Sequence, residues 1–385
     1  MSETKLHYQT NGVWSGATDV NAGDPLNPWP TDANGQLTTF ALNGYQQTYA
    51  NYLNTDPNTH VLSLGAGHLA LFLDDSISPN SFGARLSGID VINGGSGGQI
   101  IDLTSPTYAY GNVTINAGSG NDILMGNQGN ETINGKAGND YIWGGSGTDS
   151  LYGGSGNDTI FAGGKGADLL YGGSGNDSLV AGNGDQALYG GSGDDTLVAG
   201  MGTQTLYGGS GNNTLDLSKL TGTLSVDKGG HVVTVTDASG TVLTDKISSF
   251  ETIIGNNGNN YFDTSQKGGF FVGGTGNDTF HSEGGQSTMT GGGGDNLYQY
   301  EKKFVLLHPT NSDTITDFKV ATDHLNLSDF LKGQVGLKAP TYDQVVHLVD
   351  NSAGTMVQVL DGGTFINAVE LNGVHSAALS DLLLH

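Results

Sequence analysis

The chain has 385 residues, with 65 Gly, 38 Asp and Glu against 13 Lys and Arg, no Cys, and a formal charge of −25. That charge argues against nucleic acid and anionic membrane as partners, and the missing cysteines exclude a disulfide framework and thiol chemistry. No run of about 18 apolar residues occurs, so no segment reads as a membrane span.

Residues 1–59 carry no repeat. The N-terminal MSETKLHYQT lacks the charged and apolar regions of a cleaved signal peptide. GDPLNPWPTDANG (23–35) reads as a Pro-rich loop, and LTTFALNGYQQTYANYLN (37–54) as short strands or a helix. Residues 60–116 are predicted to hold a β-hairpin, over HVLSLGAGHLALFLDD (60–75), and the lead-in to a repeat array, over SGIDVINGGSGGQIIDL (87–103).

From 117 to 216 the chain repeats a unit such as YGGSGNDTI. Aligned on the acid, it places Asp122, Glu131, Asp140, Asp149, Asp158, Asp168, Asp177, Gln186, Asp195, Gln204 and Asn213 in phase. Every step is nine residues except the ten from Asp158 to Asp168. Two residues after each of these stands Leu or Ile: Leu124, Ile133, Ile142, Leu151, Ile160, Leu170, Leu179, Leu188, Leu197, Leu206 and Leu215. That position is predicted to face a core. Glycine at this density excludes helix, at about 1 kcal/mol per residue, and supplies φ > 0 for tight turns. The three residues after each acid read as a short strand, so turn and strand alternate in a solenoid. Acids that are periodic rather than blocked read as cation ligands rather than as a solvating tail.

The nonapeptide G-G-x-G-x-D-x-U-x resembles the repeat of the RTX (repeats-in-toxin) family, closely over 117–215 and loosely over 255–298. The resemblance implies an all-β chain: a parallel β-roll (β-solenoid) with flanking β-hairpin segments and a C-terminal β-rich cap. It also implies two nonapeptides per turn, with Ca²⁺ held between turns by Asp carboxylates and turn carbonyls. Hard oxygen ligands suit Ca²⁺, and adjacent acid pairs suggest about five to seven ions. Two units per turn sort the acids into two rows. The first is Asp122, Asp140, Asp158, Asp177, Asp195 and Asn213; the second is Glu131, Asp149, Asp168, Gln186 and Gln204. An amide keeps a carbonyl oxygen but not the charge, so ions are expected mostly along the first row. Asp278, in the second array, completes the candidate ligands.

The residue after each core aliphatic is predicted to point outward. On the second row it is Asn134, Tyr152, Tyr171, Tyr189 and Tyr207; on the first it is Met125, Trp143, Phe161, Val180, Val198 and Asp216. Trp143, Tyr152, Phe161, Tyr171, Tyr189 and Tyr207 are the candidates for an assembly or ligand face. A plain cross-turn ladder, or cover by a flanking segment, is the alternative.

Residues 217–254 are predicted to insert a hairpin through HVVTVTDASGTVLTDKI (231–247). A second, degenerate roll over 255–298 has Asn260, Gly269, Asp278, Ser287 and Asn296 at the ligand position and Phe262, Phe271, Phe280, Met289 and Tyr298 in the core. It is expected to bind little calcium and to pack through aromatics. Residues 299–385 read as a cap and type I secretion signal: DTITDFKVATDHLNLSDFL (313–331) resembles the segment that closes RTX repeats, and SDLLLH resembles an uncleaved export tail.

No H-E-x-x-H occurs, and GGSGG (94–98) matches the G-x-S-x-G elbow only in repeat phase. The chain is therefore expected not to be an enzyme, although residues 1–110 leave room for an unrecognised site. The expected role is a secreted bacterial calcium-binding structural protein of the extracellular space or cell surface: a surface layer, filament, or biofilm matrix or adhesin. Its partners would be itself, as homo-oligomer or polymer, the type I channel and cell-surface polysaccharide. The alternative is a carbohydrate-binding module that uses the tyrosines.

Overall fold

The computed structural model describes strands Gln9–Thr10, Val13–Trp14, Gln46–Gln47, Val61–Ser63 and Leu69–Phe72. It then describes residues 90–104, 111–264, 267–301, 303, 305, 312–332, 341–361 and 363–382. The expected loop at 23–35 and most of segment 37–54 lie outside the described residues. Two compact units divide the chain, Met1–Gly211 and Asn212–His385.

The first unit is a parallel β-solenoid. Strands Thr132–Ala137, Ser150–Ser155, Leu169–Ser174, Ala187–Ser192 and Thr205–Ser210 form one stack, with Ile133, Leu151, Leu170, Leu188 and Leu206 in register. Strands Ile123–Met125, Tyr141–Gly145, Thr159–Gly163, Ser178–Val180 and Thr196–Val198 form the other, with Leu124, Ile142, Ile160, Leu179 and Leu197 in register. Strand pleating sends alternate side chains inward, and these ten residues are at most 1% exposed. In Thr132–Ala137 the two inward positions are Ile133 and Gly135. The aliphatic fills the core and the glycine leaves room beside it.

The alternating segment 60–75 is not a hairpin. Val61–Ser63 pairs parallel with Val91–Asn93, and Leu69–Phe72 pairs parallel with Gln99–Asp102, so this segment is itself a coil of the solenoid. Alternation is common to both arrangements and does not choose between them.

In the second unit, Thr223–Asp227, Val232–Thr236 and Val242–Ser248 form an antiparallel meander, which includes the hairpin expected at 231–247. Its first strand pairs parallel with Asn260–Asp263, and coils resume. Phe262, Phe280 and Tyr298 stack 5.1 Å apart at 11° and 7°. With Phe271 and Met289 they are at most 1% exposed, the aromatic core expected there. The C-terminal sheet of Val346–Asp350, Gly354–Asp361 and Thr364–Asn372 is antiparallel and joins Asp313–Ile315 through a parallel pairing. Leu379–Leu382, which runs into the expected export tail SDLLLH, is a short helix.

Candidate metal centre

The solenoid sets the acids one coil apart in buried rows. Asp122, Asp140, Asp158 and Asp177 are at most 2% exposed. Each reaches back one coil: Asp140 Oδ1 accepts from Asp122 N, Asp158 Oδ1 from Asp140 N and Asp177 Oδ1 from Asp158 N, all at 2.8 Å. The asparagine just before each acid reaches the other way. Asn121, Asn139 and Asn157 Oδ1 accept from the backbone N of Asn139, Asn157 and Asn176 one coil later, again at 2.8 Å. Turn amides with no strand partner need acceptors, and these two opposed ladders supply them.

One oxygen per carboxylate is thereby satisfied. The other is not: Asp122, Asp140, Asp158 and Asp177 Oδ2 are buried without a hydrogen-bond partner. Burial, reinforced by the charge of Asp140, pushes the Asp122 carboxyl from 3.8 up to about 8. Burial likewise takes Asp140 and Asp177 to about 7 and Asp158 to about 6. The inward glycines shape the space. A Cβ on Gly135 would lie 2.2 Å from Asp140 Oδ2 and 2.7 Å from the Gly153 carbonyl oxygen. Gly153 has the same relation to Asp158 and Gly172, at 2.2 and 2.7 Å. Among the described residues no three acidic or histidine side chains converge, so an ion here would draw on paired carboxylates and carbonyls.

Anionic oxygens without donors, beside backbone carbonyls, are the donor set of a hard cation. A calcium ion would be held by Asp122, Asp140, Asp158 and Asp177 with carbonyls such as those of Gly153 and Gly172, and would supply the charge these oxygens lack.

The second row is largely plugged. Glu131 has both oxygens occupied by Asn127, through its N at 3.0 Å and Nδ2 at 2.9 Å. Asp168 Oδ2 accepts from Gln186 Nε2 at 2.8 Å. On this row Asp149 Oδ2 is left buried without a partner, and burial lifts its carboxyl to about 7. The rows therefore differ in how many of their carboxylate oxygens are left without a hydrogen-bond partner. Asp158→Ala is expected to raise the calcium midpoint by about tenfold or more, and Gln204→Ala by less than about twofold, in titrations followed by circular dichroism. Equal shifts would refute the distinction.

Within the second unit the rows continue through residues that the nine-residue period does not reach. Asn213 N donates to Glu251 Oε2 at 2.7 Å, Ser287 N to Asp313 Oδ1 at 2.8 Å and Asn296 N to Asp323 Oδ1 at 2.9 Å. Asp278 keeps a buried Oδ2 without a partner, and Asn260 Nδ2 lies 2.8–3.0 Å from Asp278 Oδ1 and the carbonyls of Asn256, Gly258 and Gly273. An amide NH₂ has two hydrogens for those four oxygens. The second roll thus retains one oxygen cage.

The family model described as RTX calcium-binding nonapeptide repeat (4 copies) matches residues 110–130, 125–160, 160–185, 180–215 and 270–298. These coils are RTX calcium-binding repeats. A comparison with curated proteins finds no match. Among solved structures the chain is similar to the extracellular lipase LipA from Serratia marcescens, at 18% identity and a TM-score of 0.19. The match covers 60% of this chain and 40% of the lipase, so this chain spans two fifths of that protein's length.

On the outer face of the RTX coils the tyrosines form a ladder. Tyr152 and Tyr171 stack at 5.4 Å and 5°, Tyr171 and Tyr189 at 4.7 Å and 14°, and Tyr189 meets Tyr207 at 6.3 Å and 52°. Tyr171 and Tyr207 are 37% and 43% exposed. Stacked rings cover one another's faces, so the ladder shows solvent chiefly its edges. The other stripe is less open than its sequence suggests. Met125 and Val198 share the register of Trp143 and Val180 but are buried, while Trp143, Phe161 and Val180 are half-buried. All three residues of strand Ile123–Met125 are buried, so both faces of that strand are covered. Phe161 also packs 5.3 Å from the ring of Tyr141.

Proposed function

We propose that this chain is a secreted, non-catalytic protein that folds on meeting calcium outside a bacterial cell and then associates into a surface layer, filament or biofilm matrix. The carrying observation is the row of buried carboxylates with unpartnered oxygens at Asp122, Asp140, Asp158 and Asp177. Where free calcium is scarce these groups repel one another and cannot be solvated. Where it is plentiful, a ligand that binds only the folded state stabilises it by mass action. Such a chain suits export in unfolded form through a type I channel, with folding afterwards. No catalytic step is included. GGSGG sits in a coil, with Ser96 bridged in parallel to Ser119, rather than on the strand-to-helix elbow a nucleophile needs.

Association would use the edges of the tyrosine ladder and the half-buried Trp143 and Phe161, once calcium has offset part of the −25 charge. Size-exclusion chromatography and negative-stain imaging should show monomer in chelator and larger ordered particles in millimolar calcium. Trp143→Asp with Tyr171→Asp should weaken the particles while leaving the calcium-induced β signal intact. A monomer at high concentration in calcium would overturn the assembly role. Sugar stacking on the tyrosines is the weaker reading, because ring faces 4.7 and 5.4 Å apart are closed to a ligand.

A further inference from the structure

In the second unit the row that runs through Asn213 and Glu251 next reaches Gly269, a ligand position without a side chain. Its place is taken. A Cβ built on Gly269 would lie 2.4 Å from the Nζ of Lys228. Lys228 directly follows strand Thr223–Asp227 of the meander, and its backbone N donates to the Asp263 carbonyl at 3.2 Å. From there the side chain reaches in, and its ammonium donates to the Gly268 carbonyl at 2.5 Å. It also lies 5.4 Å from the ring centroid of the core residue Phe271.

An ammonium drawn off the surface is costly unless compensated. Burial lowers the affinity of Lys228 for its proton, the nearby Glu251 charge opposes that, and Lys267 adds to it. Glu251 is the row's own acid: its Oε2 accepts from Asn213 N as the row aspartates accept from the preceding coil. Three partners typical of a bound cation therefore meet at Lys228: a row carboxylate acting through its charge, a turn carbonyl and an aromatic face. Gly269 could carry no aspartate without displacing the ammonium.

We propose that Lys228 is a built-in cation, which serves the Glu251–Gly269 step of the second unit as calcium serves the Asp122–Asp177 row. A tethered charge does not depend on ion concentration, because its binding is intramolecular. This coil would then hold in chelator while the first row does not. The proposal rests on the calcium reading of the rows and is independent of assembly.

Hydrogen exchange on the full-length protein in chelator tests it. Amides of Thr252–Ile254 and Gly269–Gly274 should stay protected while those of Tyr141–Gly145 and Thr159–Gly163 exchange. Lys228→Met should speed exchange of the first pair by about tenfold or more, and Lys228→Arg should keep most of the protection. Three results would overturn the proposal. The wild-type coil could exchange as fast as the first row; Lys228→Met could leave its protection unchanged; or Met and Arg could fail equally, which would make the side chain's shape and not its charge what matters. Assembly could fail with all of these expectations met, so the two readings are separable.

Discussion

In chelator near pH 8 the first unit should lose its β signal, and acidification to about pH 5 should restore much of it without any calcium. The expectation follows from the direction of the carboxyl shifts. Asp122, Asp140, Asp149, Asp158, Asp177 and Glu131 all hold their protons more tightly in the folded chain, at about 8, 7, 7, 6, 7 and 7, because burial penalises the charged form. A group raised on folding favours the fold fully below its unfolded value, 3.8 for Asp and 4.5 for Glu, and that contribution is lost as pH climbs through the folded value. The metal-free roll is therefore weakest above about pH 8. Calcium needs the deprotonated form, so it must displace those protons. Adding calcium near pH 7 should release protons, and the calcium midpoint should rise by up to about tenfold per proton for each unit of acidification. Circular dichroism against pH in chelator, with a weakly buffered proton count, measures both effects. A β signal flat from about pH 5 to 8, or calcium uptake without proton release, would rule the linkage out.

How far the fold can be read from the sequence depends on what keeps the phase. Between Asp122 and Gln204 every step but the ten residues from Asp158 to Asp168 is nine, so the rows and the core aliphatics follow directly. Insertions break the count. Glu251 lies 38 residues beyond its partner Asn213, Asp313 lies 26 beyond Ser287 and Asp323 lies 27 beyond Asn296. The local pattern survives those jumps: Glu251-Thr-Ile253, Asp313-Thr-Ile315 and Asp323-His-Leu325 each keep the acid two residues before the buried aliphatic. A search for that short pattern, freed from the period, would have found them. Turn chemistry would have separated the two alternating segments. In 231–247 Asp237 Oδ1 accepts from the N of Ser239 and of Thr241, which closes a hairpin. GAGH, at 65–68, offers no Asx acceptor of that kind. What no pattern carries is how the oxygens are filled. Gln186 reads as a lost charge, yet its amide is what occupies Asp168 Oδ2. Lys228 lies outside every repeat.

Gly153→Ala should abolish calcium binding at its step of the first row, although it adds a single methyl group. Gly153 does not sit in the left-handed region, so alanine meets no backbone penalty there. The cost is all contact: the new Cβ would stand 2.2 Å from Asp158 Oδ2 and 2.7 Å from the Gly172 carbonyl oxygen. Those are two of the oxygens that would hold the ion, and the neighbouring coil packs too closely to retreat. Overpacking of this kind costs about 1–3 kcal/mol before any ligand is lost. Gly240→Ala isolates the opposite effect, because Gly240 has φ +84 and nothing within 4 Å of its added Cβ. That variant should lose about 1–2 kcal/mol to backbone strain alone and keep the wild-type calcium midpoint. Calorimetric calcium titration beside thermal melts separates the two: Gly153→Ala should lose bound ions, Gly240→Ala only stability. If Gly153→Ala takes up calcium with wild-type stoichiometry, the inward glycine is not what makes room for the ion, and the row would have to hold it elsewhere than beside the Asp158 carboxylate.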